Sequence, residues 1–158
     1  MNAIAVIATL ALLSAGMDVP FVRQKPHFCG PAALASVMAF FGDAIGQDEI
    51  ARAVYSPSLK GALVTDLENF ARGRGYKTEL HQGSLDDVRR HIAARRPVIL
   101  LVDRGLWFVS RPHYLVVFGR SGDSFIAHTG DHAGVAFSPA ELRSLWDRAG
   151  NVLLVVFR

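Results

Sequence analysis

A single cysteine, Cys29, occurs among 158 residues. That excludes an intramolecular disulfide framework and any site built on several thiolate ligands. Charge of one sign is scarce as well: 17 basic against 14 acidic side chains leave a formal +3. Arg72, Arg74, Arg89, Arg90, Arg95 and Arg96 sit at helix ends or between elements, a solvated pattern that gives nucleic acid no footprint. No zinc-finger motif, phosphate loop, internal repeat or low-complexity tract occurs, so the expectation is no metal and no cofactor. With no linker visible, residues 17–158 read as one domain, large enough to bury a core without staples.

The N-terminal 16 residues, MNAIAVIATLALLSAG, are uncharged and almost wholly apolar. They fall short of the roughly 20 residues that a membrane-spanning helix needs. Their small-residue end, Ser14-Ala15-Gly16, resembles a signal-peptidase site, although no lysine or arginine lies near Met1. The favoured expectation is a cleaved export signal and a periplasmic or secreted protein. A retained segment would instead anchor the chain to a membrane, and an ordinary first element of the domain is the third reading.

What is present is organised around residues 19–42, VPFVRQKPHFCGPAALASVMAFFG. Residues 31–41 contain no breaker after Pro31, and Leu34, Val37, Met38 and Phe41 recur at helical spacing. Proline is tolerated in a first helical turn, and Gly42 with Asp43 supplies a stop. Cys29 is therefore expected at the start of a buried helix, where unpaired amides and the helix dipole favour a thiolate. By default a lone cysteine is a small, inert, buried side chain. A base is needed to make it more.

Downstream, helices are expected over residues 48–54, 63–72 and from the Ser84 cap towards Arg95, with a further helix at 139–148. Strands are expected at 76–80, 98–102, 114–118, 125–128, 135–137 and 152–157, and residues 19–22 form a short strand or an extended lead-in. Helices first and then a mostly antiparallel sheet with one late helix is an α+β order. The loop 103–112 carries Leu106, Trp107 and Phe108, which either pack over a neighbouring face or wall a substrate cleft.

Six histidines compete for the role of base. His27 is too near Cys29 in sequence to pair easily and reads as a cleft-lining residue. His81 and His91 read as surface residues, while His128 and His132 flank a glycine turn. His113 opens the strand Tyr114-Leu115-Val116-Val117-Phe118, which fixes its backbone while leaving the ring free to enter a cleft, as thiol chemistry requires. A third group must orient the imidazole, and Asp131 is the carboxylate at hand. Gln24 can bring a side-chain amide beside the Cys29 N–H to hold an oxyanion. A metal site made of Cys29, His27, His113 and His132 is the competing use of the same residues.

Gln24, the run Cys29-Gly30-Pro31-Ala32-Ala33-Leu34 and the run His113 to Gly119 together resemble the papain-like peptidases related to the bacteriocin leader-processing, double-glycine peptidases. The stand-alone bacterial members, which begin Pro-Phe-x-x-Gln, are the most similar. The resemblance spans Val19 to the C-terminus. It implies a papain-like fold with N-terminal helices on a mostly antiparallel sheet, and a peptide or protein substrate. It also implies Cys29 as nucleophile, His113 as base and acid in a thiolate-imidazolium pair, and Gln24 as oxyanion donor. Leader-processing domains place the glutamine six positions before the cysteine; here the gap is five. Their Asp-Pro pair after the next strand is replaced by Thr129-Gly130, which leaves Asp131 or Thr129 to orient His113. The same constellation also serves an acyltransferase or amidase, and without the orienting aspartate the scaffold also fits a catalytically weak binding protein.

Overall fold

The computed structural model describes residues 16–158. Residues 1–15, which carry most of the expected signal or anchor, lie outside the described residues.

Helix α1 (Cys29–Phe40) comes first and is buried along most of its length. Its side chains Leu34, Val37 and Met38 are fully enclosed, and each such burial contributes roughly 1.5–3 kcal/mol. Then follow α2 (Gln47–Val54), a two-residue-per-arm hairpin of β1 (Tyr55–Ser56) and β2 (Gly61–Ala62), and α3 (Val64–Gly73). The remainder runs β3 (Lys77–Gln82), α4 (Leu85–Ala93), β4 (Val98–Asp103), β5 (Pro112–Ser121), β6 (Ser124–His128), β7 (Val135–Phe137), α5 (Pro139–Asp147) and β8 (Val152–Phe157). The class is α+β, as expected.

Six strands form one sheet in the order β3-β8-β4-β5-β6-β7. Every neighbouring pair is antiparallel. The last strand, β8, is inserted between the edge strand β3 and β4, and the continuous apolar run Leu153 to Val156 is wholly buried there.

Register separates the two faces. Leu80, Leu154, Ile99 and Val116 are paired in a row across four strands, so their side chains share one side. Val116 lies with Cys29, Ala32 and Ala33, which places α1 on that side. Thr78, on the same face of β3, bonds Glu68 and Arg72 of α3. The row Glu79, Val155, Val98, Val117 faces the other way. There α4 approaches Glu79 through His91, while Trp146 of α5 and Leu153 both crowd Gly83. The sheet is thus covered on both faces, and His91, expected at the surface, is buried at 7% exposure.

Helix starts differ in a way that matters for chemistry. Ser84 with Asp87 and Ser138 with Glu141 form complete capping boxes on α4 and α5, each satisfying two amide donors. α2 and α3 lack side-chain caps but carry acids in their first turns. Among the five described helices, α1 alone has neither a cap nor an acid.

Residues 17–24 form no ladder strand. They are tied down one bond at a time: Met17 N–H to Phe118 O (3.1 Å) and Gln24 N–H to Gly130 O (2.9 Å), Ser36 Oγ to Pro20 O, and His128 Nε2 to Val19 O (2.8 Å). His128 Nδ1 accepts from Gly134 N–H at 3.1 Å. One neutral imidazole therefore joins the lead-in to the turn after β6.

Burial is the leading influence on His91, His113 and His128, pushing each below its ordinary 6.5. The unfolded chain then binds more protons than the folded one just below that pH. The stability these residues contribute is full above about 6.5 and is lost as pH falls towards their depressed values. Asp43, Asp87 and Asp103, lowered from 3.8, add a second loss only below that point. Urea midpoints are therefore expected to drop between pH 7.5 and 5, with a smaller drop in His128→Gln. Equal midpoints at both pH values would refute this account.

Candidate active site

Cys29 is the first residue of α1, and its helix start presses close against β5. A Cβ on Gly30 would stand 3.2 Å from the Tyr114 ring. Burial pushes the Cys29 thiol above its ordinary 9.0, while main-chain N–H groups of Tyr114, Gly30 and Cys29, with Arg104 further off, pull it back. The uncapped amides thus supply donors for a thiolate. They do not overcome the desolvation.

His113 is the second residue of β5 and is 7% exposed. Its Nε2 lies 2.5 Å from the main-chain oxygen of Thr129. A carbonyl can only accept, so Nε2 carries the proton and the lone pair is on Nδ1. That is the tautomer a general base needs. Burial depresses the imidazole pKa first, and Arg104 adds to it; the Thr129 carbonyl and Asp131 oppose. Before substrate arrives, both members of the pair are biased towards their neutral forms.

Cys29 and His113 line one cleft with Gln24, His27, Lys60, Arg104, Ser110, Arg111 and Pro112, a space of about 680 Å³. The hydrogen bond recorded for the His113 ring is the one to Thr129, and none joins it to Cys29 Sγ. Catalytic hydrogen bonds are often open before substrate binds.

Gln24 is held by its backbone bond to Gly130, and its Oε1 is buried without a partner. A Cβ on Gly130 would stand 2.2 Å from that oxygen, and Gly130 has φ +83°. Only glycine leaves this space and adopts this backbone without strain.

The two residues expected to orient His113 fare differently. Asp131 makes no hydrogen bond to the ring; its carboxylate lies 3.5 Å from Arg104, and its carbonyl accepts from Arg23 at 2.9 Å. Thr129 does hold the ring, through its main-chain oxygen, while its hydroxyl bonds the backbone of His132.

His27 lines the cleft and has φ +64°. Trp107 does not line it. The loop after β4 is pinned at its base, where Asp103 accepts from Gly105 N, Ser110 Oγ and Arg111 N and Arg148 donates to Gly105 O. This leaves Trp107 and Phe108 at 95% and 96% exposure. They sit beside a separate open hollow between Arg104 and Arg111.

The profile of the family described as Peptidase_C39 like family matches residues 17–135, a stretch that contains Gln24, Cys29, His113 and Thr129. The chain belongs to this family. It is accordingly a cysteine-peptidase-type enzyme acting on peptides. Solved structures with the same fold include the peptidase domain of Streptococcus ComA, described as a bi-functional ABC transporter involved in a quorum sensing pathway. That domain is 21% identical, with 86% of this chain and 96% of that chain covered and a TM-score of 0.73. A putative C39-like peptidase from Bacillus anthracis is 15% identical over 90% and 96% of the two chains, TM-score 0.73. A double glycine motif protease from an AMS/PCAT transporter, solved with the leader peptide, is 16% identical over 89% and 92%, TM-score 0.73. No curated protein sequence matches the chain significantly.

These relatives correct one expectation. An exported, periplasmic or secreted protein was expected from residues 1–16, yet the ComA and AMS/PCAT relatives of this C39-like chain are peptidase parts of transporters, an ABC transporter in the case of ComA. A short apolar N-terminus signals hydrophobicity and does not specify a compartment, so the export reading is withdrawn.

Proposed function

We propose that this C39-like chain hydrolyses peptide bonds with Cys29 as nucleophile, His113 as base and acid, and Gln24 with the Cys29 N–H as oxyanion donors. The observation that carries the reading is the His113 Nε2 bond to Thr129 O, which sets the basic lone pair on Nδ1 in the cleft that Cys29 shares. Because burial favours the neutral thiol and neutral imidazole, the proton passes from Sγ to Nδ1 as the sulfur attacks. The S–C bond forms while the carbonyl π pair moves onto oxygen. His113 returns the proton to the leaving amine as the C–N bond breaks, and water, deprotonated by the same nitrogen, releases the acyl group.

A leader-type peptide is the finer reading of the substrate, supported by the leader peptide bound to the AMS/PCAT relative. Basic Lys60, Arg104 and Arg111 at the cleft suit a substrate with acidic residues near the cut. We assign His27 to the cleft wall and Trp107 to a more distal contact with the same peptide.

The test is a mass-spectrometric product profile from a peptide library, with Cys29→Ala as control. New termini are expected from the parent chain and none from the control. No products, or the same products from both proteins, would overturn the assignment. A bias for small residues just before the cut would support the leader-type reading.

A further inference from the structure

We propose that Glu79, His81 and His91 bind one divalent transition-metal ion, zinc being the best chemical match, on the face of the sheet away from α1. This site was not expected from the sequence, where His81 and His91 read as unrelated surface residues.

Glu79 and His81 are two apart on β3, so they project to the same side. Register puts Glu79 in the row with Val155, Val98 and Val117, opposite the row that faces Cys29. His91, near the end of α4, comes down onto that side from the helix layer. One ligand atom from each of the three residues lies within 4.8 Å of the others.

The spacing is informative. His91 Nε2 and Glu79 Oε2 are 3.5 Å apart, beyond the usual length of a charge-assisted hydrogen bond. It is close to the edge of a tetrahedron with metal bonds of about 2.1 Å, which is roughly 3.4 Å. His81 donates from Nδ1 to the Gln82 carbonyl at 2.8 Å, and a carbonyl only accepts, so the free lone pair is on Nε2. An outer hydrogen bond of this kind is what orients metal-binding histidines.

Two imidazoles and a carboxylate suit zinc and its first-row neighbours better than calcium or magnesium, which prefer oxygen ligands. His81 is exposed and Glu79 is partly so, which leaves a coordination position open to water. Arg96 opposes the cation: its Nη1 lies 3.6 Å from Glu79 Oε1, and its guanidinium is kept over Phe157 at 4.0 Å. The affinity is thereby lowered, and Oε2 is the oxygen left towards His91. A bound ion here would tie the edge strand β3 to α4, away from the cysteine chemistry.

The experiment is calorimetric titration of zinc into the full chain carrying Cys29→Ala, so that the thiol cannot contribute. One equivalent is expected to bind, with affinity about tenfold or more weaker in Glu79→Gln and in His81→Ala, a loss that even outer-shell changes can produce. Both positions are solvent-accessible, so the variants should fold. His27→Ala, on the cleft side, is expected to bind like the parent. Zinc should also raise the melting temperature of the parent more than that of His81→Ala. Absence of saturable binding, or equal affinity in the parent and His81→Ala, would overturn the site.

Discussion

His113→Ala is expected to lower kcat/KM on a cleaved peptide by about 10²–10⁴-fold, the range for removal of a positioned general base. The alternative is that the thiolate alone does the work, held by main-chain N–H groups of Tyr114, Gly30 and Cys29. Alkylation separates the two. At pH well above 9, where thiolate forms without a base, iodoacetamide should modify Cys29 at nearly the same rate in the variant and the parent, because the amides that stabilise the anion remain. Near neutral pH the rates are expected to be low in both, since burial raises the thiol. Peptidase activity within tenfold of the parent would sink the role of His113. A collapse of alkylation at high pH would instead show that the variant had lost the local fold.

Gly130→Ala is expected to lower kcat by about 10²–10³-fold, the size of effect that follows loss of one oxyanion donor. The new methyl would stand 2.2 Å from Gln24 Oε1 and 2.9 Å from its Cδ, so the amide must leave its place. The positive φ adds backbone strain. Gln24→Ala removes the donor without strain and should show a comparable loss. In the double variant the losses should not add, because both changes remove the same group. Near-parental activity in Gln24→Ala would exclude the oxyanion role, whatever Gly130→Ala does.

Much of this was legible from local pattern. The α1 run, the Ser84 start, the helix beginning at Pro139 and the strand at Tyr114 each have a signature in residue type and spacing, and the observed elements follow them within a few positions. Cys29 before a helix and His113 at a strand start were legible for the same reason. The group orienting His113 was not, because a main-chain carbonyl is present in every residue and carries no signal of its own. Asp131 attracted the role as the nearest carboxylate, but Arg104 and Arg23 engage it. The burial of His91 was hidden because one helical turn with Arg89 and Arg90 reads as polar. Only the pairing of β3 beside β8 brings Glu79 beneath that helix. The clamp by His128 joins residues 109 positions apart, beyond the reach of any local pattern.

The turn following β6 has a consequence for how the enzyme switches off. Two successive carbonyls carry two separate supports: Thr129 O holds the His113 ring, and Gly130 O holds the Gln24 backbone. A transient opening of that single turn would remove both of these bonds together, leaving the backbone on either side of Gln24 tied to Gln47 through Arg23 O and Lys25 N and His113 paired on its strand. In kinetic terms the orientation of the imidazole and the anchoring of the glutamine backbone would be lost and regained in step, at the frequency of one short peptide segment.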